Sequence, residues 1–421
     1  MTKVILSINA GSSSVKISVY TASPQNNDPL QIAEADVSGL TAAPTQLNYK
    51  RRGETVAKNK VLSTKAESQE YAFTELLRAL IEDSGLPEIS QKSDIALACH
   101  RIVHGGDYIT SKVINQHTYH HLEALADLAP LHNRHALEIV RSCVSELSDA
   151  TNVACFDSEF HASIPEHIRT YPIDPGVARQ RRLRKYGFHG ISYRFIVRAV
   201  AGYLGKDPST LNIIALHLGS GASACAIKGG KSWDTSMGLT PLAGLPGATR
   251  SGSVDPSLVF HYTGNAETLS PTSTTALHIT RAEEILNTQS GWAALTGTTN
   301  FQTIVSGLEE NPKYKLAFEL FINRVCGYVG SYYVALGGRI DALVFAGGIG
   351  ERSDALRDAV ISQAGCLGFE LDRAANAQKI ENTVQDVGAK GSRHRVLVCL
   401  TDEQLEMARS CAGAENAELW K

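Results

Sequence analysis

The chain lacks any apolar stretch close to the roughly 20 residues that a helix needs to cross a bilayer. After Met1 the first apolar run is only VIL, which is far shorter than the apolar region of a signal peptide and leads into a polar turn. We therefore expect a cytoplasmic protein with no membrane partner. Low-complexity tails and charged arms are missing too, so disorder is not indicated.

Neither sign of charge dominates the sequence. Lys and Arg number 40 and Asp and Glu number 43, which gives a formal net charge of −3 at pH 7. A chain with this balance has no overall basic field for nucleic acid, so no nucleic-acid partner is expected. The cluster RQRRLRK at 179–185 is the exception, and we interpret it as a solvated face.

The eight cysteines never show CxxC spacing, and several lie inside apolar runs: Cys99, Cys155, Cys225 and Cys399. This pattern is typical of buried thiols in a reducing compartment and does not indicate disulfides or zinc ligands.

A chain of 421 residues exceeds the size at which a single core stops growing, so we expect two domains of roughly 200 residues each. Helical spacing of apolar residues, which include Val144 and Leu316, predicts helices over 134–147 and 314–336. The polar segment 46–65 is expected to form surface hairpins or loop, and 287–300 an irregular connection. Apolar runs of strand length lie at 4–8, 95–99, 153–156, 213–218, 342–346 and 396–400, which together with the helices predicts an α/β fold.

Two short hairpins share one pattern about half a chain apart. Residues 4–20, VILSINAGSSSVKISVY, comprise an apolar run, a break of small polar residues and a second apolar run that carries Lys16. The pattern recurs at 212–229 as NIIALHLGSGASACAIKG. Small residues let backbone N–H groups face an anion, although a single such turn can be an ordinary hairpin. Two of them at this spacing predict a nucleotide held between two domains.

A third glycine-rich break, AGGIGERS at 346–353, follows an apolar run and precedes a helix-like stretch. Strand, glycines and helix start favour an anion or nucleotide site. The spacing G-x-G-x-x-G is missing, which disfavours a dinucleotide fold. GGKS at 229–232 resembles the end of a Walker A motif but lacks its first glycine and a following helix, so we assign it no role.

Phosphoryl transfer needs cations for the phosphate oxygens and for an anionic acceptor. Arg101 in CHRIVHGG and Arg250 in GATRSGSVDP are candidates because both lie beside glycines, with a surface ion pair as the alternative for each. His189 in YGFHG is the best candidate for a charge-stabilising donor. Other histidines lie beside glycine or proline breaks, where core packing is the alternative: His104, His132 and His217.

Carboxylates at the ends of apolar runs are candidates for magnesium. Asp157 follows NVACF and Glu403 follows VLVCLTD, where one or two carboxylates could complement water and phosphate around the ion. A helix cap is the alternative for either residue, and Asp402 competes with Glu403.

Together these motifs resemble the acetate kinases, within the superfamily of sugar kinases, actin and heat-shock chaperone ATPases. The resemblance implies an α/β fold of two duplicated RNase H-like domains with a cleft between them. It places an N-terminal domain at 1–157, completed by a C-terminal helix at 404–421, and a nucleotide-binding domain at 158–403. It spans nearly the whole chain through INAGSSSVK, RIVHGG, LAPLHN, FDSEFH, YGFHG, LHLGSGAS, DTSMGLTPLAGL, TRSGSVDP, FAGGIGE and TDEQLEMAR.

The implied activity is reversible, Mg²⁺-dependent transfer of the ATP γ-phosphoryl group to acetate, giving acetyl phosphate and ADP by direct in-line transfer in a homodimer. Within the enzyme class the alternatives are a propionate kinase and a pyrophosphate-linked acetate kinase. A different class is a non-catalytic actin-like or chaperone-like nucleotide-binding module.

Carried over residue by residue, the resemblance makes Arg101 and Arg250 ligands of the carboxylate and the migrating phosphoryl group. His189 and Arg250 would stabilise the transition state, and Asn9, Asp157 and Glu403 would organise Mg²⁺. The acetate methyl pocket maps to Val103, Leu131, Phe188 and Pro241. The implied nucleotide-binding and supporting residues are Ser12, Ser14, Lys16, His132, His217, Gly219, Ser220, Gly221, Asn300, Phe301, Gln302, Gly348, Ile349 and Arg352.

Departures from the family pattern concentrate on the adenosine side. Asn300, Phe301 and Gln302 stand where Asp, Phe and Arg are common, and Arg352 replaces a frequent Asn. Gly348 and Ile349 are retained, which favours a nucleoside triphosphate over pyrophosphate as donor. The small methyl pocket predicts propionate turnover as well, because one methylene is worth only about 1 to 3 kcal/mol.

Overall fold

The computed structural model describes residues 2–11, 13–23, 26–40, 43–62, 68–125, 130–262, 268–271, 273 and 279–413. The chain divides into two compact units, Met1–Glu159 with Asp402–Lys421, and Phe160–Thr401. Asp402 and Glu403, expected in the second domain, therefore belong with the first. They begin a helix that packs on the first unit's sheet.

The first unit contains an eight-stranded sheet in the order β5-β4-β3-β2-β1-β6-β8-β7. Strands β1 and β2 are antiparallel, whereas β1, β6 and β8 run parallel. The parallel strands are buried on both faces, which explains their continuous apolar sequences. The strands are β1 Lys3–Ala10, β2 Ser14–Ser23, β3 Asn26–Ser38, β4 Gln46–Arg51, β5 Glu54–Val61, β6 Ile95–Ile102, β7 Lys112–Val113 and β8 Thr151–Phe156.

The second unit contains a six-stranded sheet in the order β11-β10-β9-β12-β14-β13. An antiparallel hairpin, β9 with β10, again adjoins two parallel strands, β12 and β14. The series β3-β2-β1-β6-β8 in the first unit thus recurs as β11-β10-β9-β12-β14, which confirms the predicted duplication. The strands are β9 Ile213–Leu218, β10 Ala222–Lys228, β11 Lys231–Thr235, β12 Ala342–Ala346, β13 Val384–Asp386 and β14 Arg395–Cys399.

Helices cover the sheets, and their caps are visible in the sequence. The longest begins after Asn311, whose side chain accepts a hydrogen bond from the Lys313 N–H, with Pro312 at the first helical position. The helices are α1 Gln69–Ile81, α2 Gln116–Leu125, α3 Pro130–Glu146, α4 Glu166–Arg169, α5 Pro175–Arg181, α6 Gly190–Leu204, α7 Leu258–Tyr262, α8 Arg281–Thr288, α9 Gly291–Thr296, α10 Phe301–Ser306, α11 Pro312–Ala335, α12 Gly347–Arg352, α13 Asp354–Ala364, α14 Arg373–Asn376 and α15 Glu403–Ala412.

Each unit has its own core. The predicted helices correspond to α3 and α11, although two of the apolar residues at helical spacing, Val144 and Leu316, are 47% and 56% exposed. In α3 the residues Ile139 and Cys143 are buried instead. Helical spacing alone identifies an apolar face without its edges, and packing partners decide the rest.

One polar segment forms the hairpin that the sequence predicts, and a second segment is more regular than predicted. The polar segment 46–65 contains the hairpin β4–β5, but Leu47 and Tyr49 are buried against the sheet. The expected irregular connection at 287–300 contains α9, whose Trp292 lies in the core. The segment 63–67 lies outside the described residues.

The cysteines are free thiols, as the sequence predicts, and Cys99, Cys155, Cys225 and Cys399 are all buried. In the described part of the chain, no helix is both long and apolar enough to cross a membrane.

Candidate active site

The first hairpin turns between β1 and β2. The Gly11 N–H donates to the Ser14 carbonyl at 2.8 Å, which closes the turn. Asn9 lies directly opposite Lys16 in the β1–β2 ladder, and the Lys16 side chain is exposed. Ser12 lies outside the described residues. The hairpin therefore presents an amide and an ammonium group on the same face of the sheet.

Arg101 and Asp157 form an ion pair where two parallel strands end. Arg101 lies near the end of β6, and Asp157 follows β8. The Asp157 carboxylate accepts hydrogen bonds from Arg101 Nη2 at 2.7 Å and from Nε at 3.1 and 3.3 Å. Burial alone would lower the pKa of Arg101, but the charges of Asp157 and Glu403 and the bonds from Asp157 raise it above its usual value. The guanidinium is thus a permanent cation in a fixed orientation.

The predicted magnesium residues converge on this arginine. Arg101 Nη1 donates to Asn9 Oδ1 at 3.2 Å, and the Glu403 carboxylate acts on the guanidinium through its charge. Gln404 attaches α15 to the hairpin strands, because its amide donates to the Ser7 carbonyl and it accepts from the Ser18 hydroxyl. That attachment holds the start of α15 beside the site.

These oxygen donors fit a magnesium ion that keeps most of its water or phosphate ligands. Among the described residues no cluster of three metal-ligating side chains could hold an ion alone. Asp402 caps α15, since its carboxylate accepts a hydrogen bond from the Leu405 N–H at 2.8 Å. Of the two neighbouring carboxylates, Glu403 is therefore the one that does not cap the helix. The Asp157 carboxylate is already hydrogen-bonded to Arg101.

The second hairpin carries the loop that contains Arg250. The Gly219 N–H donates to the Gly221 carbonyl at 3.1 Å, and the exposed Ser220 offers its own carbonyl to the Ala248 N–H at 2.8 Å. A further bond from the Gly247 N–H to the Arg250 carbonyl, 3.0 Å long, closes the loop. The loop is therefore attached to the hairpin by backbone hydrogen bonds.

His189 precedes α6 in a left-handed conformation, with φ 58° and ψ 23°. Its ring lies 4.2 Å from the ring of His217, centroid to centroid, and its Nδ1 is 2.8 Å from the Ser223 hydroxyl. A Cβ on Gly221 would collide with the Arg250 guanidinium and lie 3.8 Å from His189 Nε2. The structure thus brings His189, His217, Gly221 and Arg250 together.

His161 stabilises the conformation of His189 by a hydrogen bond to the preceding residue, Phe188. The His161 Nε2 donates to the Phe188 carbonyl at 2.9 Å, and its Nδ1 is 2.7 Å from the Ser232 hydroxyl. Burial lowers the pKa of His161 to about 4, so this ring is neutral near pH 7. A left-handed non-glycine residue costs on the order of 1 kcal/mol or more and persists only where its surroundings hold it.

The third glycine-rich segment forms α12, which starts directly at the end of β12. Gly347 has φ 73° and lies against the backbone of Leu218, so no larger residue fits there. The predicted residues Gly348 and Arg352 are exposed, and Ile349 packs partly against the core. This segment lies beside the strand that carries His217.

Two residues predicted to bind the nucleotide also have structural partners. Phe301 is only 6% exposed, and its ring packs edge-on against Trp292 and Phe321 in the core. The Asn300 side chain caps α10 by accepting from the N–H groups of Gln302 and Thr303. Gln302 is exposed and available to a ligand.

The predicted methyl-pocket residues occupy both units. Phe188 and Pro241 are buried in the second unit, and Val103 is half-buried in the first. The side chains of Leu131 and His132 lie outside the described part of the structure, although both residues belong to α3. A separate histidine, His104, is fully buried, and its Nδ1 accepts from the Gly106 N–H, which fits the core alternative.

A family model described as the acetokinase family matches residues 4–409. The chain belongs to the acetokinase family. It is similar to a probable acetate kinase of Neurospora crassa, with 59% identity over 100% of this chain and 96% of that protein.

Solved structures agree with the family. A propionate kinase from Francisella tularensis superposes with a TM-score of 0.82 at 31% identity, covering 97% of this chain and 98% of the other. An acetate kinase from Porphyromonas gingivalis gives 0.79 at 29% identity, with both chains covered completely. The chain therefore has the two-domain fold shared with actin and the sugar kinases.

Three residues of this acetokinase site were not singled out from the sequence: Ser223, Tyr193 and His161. Tyr193 lies four residues after His189, but helical spacing does not connect their side chains, because His189 precedes α6 in a left-handed conformation. Ser223 belongs to the motif LHLGSGAS but points to His189 only because β9 and β10 pair. Nothing in the local sequence connects His161 with Phe188.

The contact at Gly221 gives a direct prediction for this acetokinase. Gly221→Ala is expected to lower kcat about 100-fold, because a methyl group displaces the flexible Arg250 guanidinium and misplacement by about 1 Å can cost that factor. Steady-state kinetics and thermal unfolding would be measured together, and the unfolding midpoint should change little.

The matched control is Gly202→Ala in α6, where nothing lies within 4 Å of the added methyl group. This variant should keep full activity and gain up to about 1 kcal/mol of stability. Unchanged kcat in Gly221→Ala would show that Arg250 is not positioned by this glycine.

Proposed function

We propose that the protein catalyses the reversible transfer of the γ-phosphoryl group of ATP to acetate, which gives acetyl phosphate and ADP. The observation that carries this proposal is the acetokinase match over residues 4–409, which includes the motifs of both arginines and of His189. Relatives named as acetate kinases that match this chain over nearly its whole length support it.

In the first unit, Arg101 binds the acetate carboxylate, oriented by Asp157 and Asn9. A planar guanidinium suits this work because it meets a carboxylate with two parallel hydrogen bonds. Its Nη1 and Nη2 donate hydrogen bonds to Asn9 and Asp157, so these contacts fix the plane of the guanidinium that binds acetate. Lys16 and Ser14 support the phosphate side of this hairpin.

Asn9, Asp157 and Glu403 would hold a magnesium ion, directly or through water. When bound, it supplies positive charge to the β- and γ-phosphate oxygens. Glu403 is the carboxylate in the best position for this role, because Asp157 already accepts three hydrogen bonds from Arg101.

In the second unit, the Gly219–Gly221 turn with Ser220 and His217 binds the phosphate chain. His189 and Arg250 meet the migrating phosphoryl group, where negative charge spreads over the equatorial oxygens. Gly348, Ile349, Arg352 and Gln302 line the adenosine side, with Asn300 and Phe301 holding α10 in place.

The reaction is a direct in-line displacement. A carboxylate oxygen of acetate forms a bond to the γ-phosphorus while the bond to the bridging oxygen of ADP breaks. The sequence has no G-x-S-x-G nucleophile motif, which agrees with a reaction that needs no covalent enzyme intermediate. The roles of the protein are therefore positioning and charge stabilisation.

The test is an acyl-phosphate trap. Purified protein with ATP, MgCl₂, acetate and hydroxylamine should form acetohydroxamate, and reactions without acetate or without Mg²⁺ should not. Absence of product at saturating acetate would refute the proposal. Replacing ATP by pyrophosphate separates the two possible donors in the same assay.

A propionate kinase is the second candidate, favoured by the similarity to the Francisella tularensis structure. Relative kcat/KM for acetate, propionate and butyrate decides between them. We expect acetate to be preferred over propionate by about 10-fold to 200-fold, the range that one methylene allows in an apolar pocket. A preference for propionate would reverse the assignment.

We also propose that the enzyme is a homodimer and is located in the cytoplasm, as the family resemblance implies. Sedimentation equilibrium should give twice the chain mass of 45.3 kDa. A single-chain mass at micromolar concentration would contradict the dimer.

A further inference from the structure

The ring of His189 is connected to a chain of buried hydroxyl groups. Its Nδ1 lies 2.8 Å from Ser223 Oγ, which lies 2.6 Å from Tyr193 Oη. Both Ser223 and Tyr193 are fully buried. Tyr193 is on α6, one turn after His189, and Ser223 is on β10 opposite His217. Helix and strand therefore meet at this chain of three side chains.

The direction of these hydrogen bonds follows from the far end of the chain. The Tyr193 hydroxyl is fully buried at that end of the chain. Its own proton then needs an acceptor, and Ser223 Oγ is at the right distance. The reverse direction would leave the buried tyrosine proton facing a donor, and an unsatisfied buried polar group costs about 1 to 3 kcal/mol.

The direction of the hydrogen bond between Ser223 and His189 follows from that of the tyrosine bond. Ser223 Oγ receives the tyrosine proton, so its own proton is directed to His189 Nδ1. A neutral imidazole that accepts at Nδ1 carries its proton on Nε2.

The Nε2 edge of the ring faces the place where chemistry is expected. Nε2 lies 3.8 Å from the position of a Cβ on Gly221, and the Arg250 guanidinium approaches the same position. A hydrogen-bond donor and a permanent cation thus approach one point on the second hairpin.

We propose that Tyr193 and Ser223 are positioning residues that hold His189 as the Nε2–H tautomer, so that a neutral ring donates a hydrogen bond to the transferring phosphoryl group. Only the identity of that acceptor rests on the proposed function. The tautomer itself is a property of the protein without substrate.

The experiment reads the tautomer and the kinetics separately. The full-length protein is labelled with ¹⁵N-histidine, and the His189 signals are assigned by their loss in His189→Asn. We expect a protonated Nε2 and an unprotonated Nδ1 in the wild type. Tyr193→Phe removes one oxygen atom, and a mixture of tautomers is expected because the direction of the Ser223 hydroxyl is then no longer determined.

Tyr193→Phe should lower kcat about 10-fold to 100-fold, the usual effect of losing a group that orients a site residue. KM for ATP should change less than about twofold, since the phosphate turn is untouched. Ser223→Ala provides a second variant with the same expected split. A merely structural role would change the unfolding midpoint without shifting the ¹⁵N signals.

The matched control is Tyr332→Phe, which removes a buried hydroxyl that has no hydrogen-bond partner in the described structure. Its kcat and His189 spectrum should equal those of the wild type. A protonated Nδ1 in the wild type, or unchanged spectra and kcat in both Tyr193→Phe and Ser223→Ala, would overturn the proposal. Correct spectra in a protein that fails the hydroxamate assay would instead contradict the proposed function.

Discussion

Replacing Arg250 with alanine is expected to lower kcat by about three to five orders of magnitude, the range for arginines that stabilise phosphoryl-transfer transition states. Its guanidinium lies at Gly221 beside the Nε2 of His189. Charge develops there only as the phosphoryl group moves, so the loss should fall on kcat rather than on nucleotide binding. The fold should survive, because the backbone bonds Ala248 N to Ser220 O and Gly247 N to Arg250 O do not involve the side chain.

The measurement combines steady-state kinetics with calorimetric binding of ADP. Arg324→Ala is the matched control, because Arg324 is an exposed arginine on α11 in the same unit, and its activity should stay within about twofold of the wild type. Arg250→Lys should recover only part of the lost rate, since an ammonium group cannot make the two parallel bonds of a guanidinium. A loss of ADP affinity in proportion to kcat would contradict the assigned role.

Replacing Arg101 with alanine is expected to impair both activity and stability. The Asp157 side chain is only 1% exposed, and Arg101 neutralises it through three hydrogen bonds. Removing one partner of a buried ion pair leaves an uncompensated charge, which costs about 3 to 5 kcal/mol. The rate should fall by about 1000-fold as well if Arg101 binds the acetate carboxylate as we propose.

A double variant separates these two effects. In Arg101→Ala with Asp157→Asn, the neutral amide removes the buried charge, so most of the lost free energy of unfolding should return while the rate stays low. Chemical denaturation monitored by fluorescence measures the first quantity and the hydroxamate assay the second. Recovery of the rate in the double variant would show that Arg101 serves the fold alone.

Much of the fold is predictable from local pattern. The hairpin turns at Gly11 and Gly219 are visible because small residues interrupt two apolar runs, and the structure places both in antiparallel ladders. Buried parallel strands such as β12 appear as unbroken apolar runs. The exposed Val144 and Leu316 show the limit, since periodicity marks a helix face but not how far its neighbour covers it.

The candidate site is predictable in its charged members and not in their supports. Arg101 and Arg250 stand out in the sequence because each lies beside glycines and small residues, with a surface ion pair as the alternative. The residues that hold them or their neighbours are distant in sequence, as with Asp157 for Arg101 and His161 for Phe188. The burial of Phe301 was not foreseen either, because an aromatic residue in a predicted binding motif can also fill the core.

Motifs, short-range periodicity and residue chemistry are enough to indicate the family and the two duplicated sheets, and they single out Arg101 and Arg250 as candidates. Tertiary structure alone decided which groups orient those cations and which edge of the His189 ring is the donor. The reason is that a hydrogen-bond direction depends on the whole connected chain of partners. Tyr193, Ser223 and His189 become such a chain only after α6 packs against the β9–β10 hairpin.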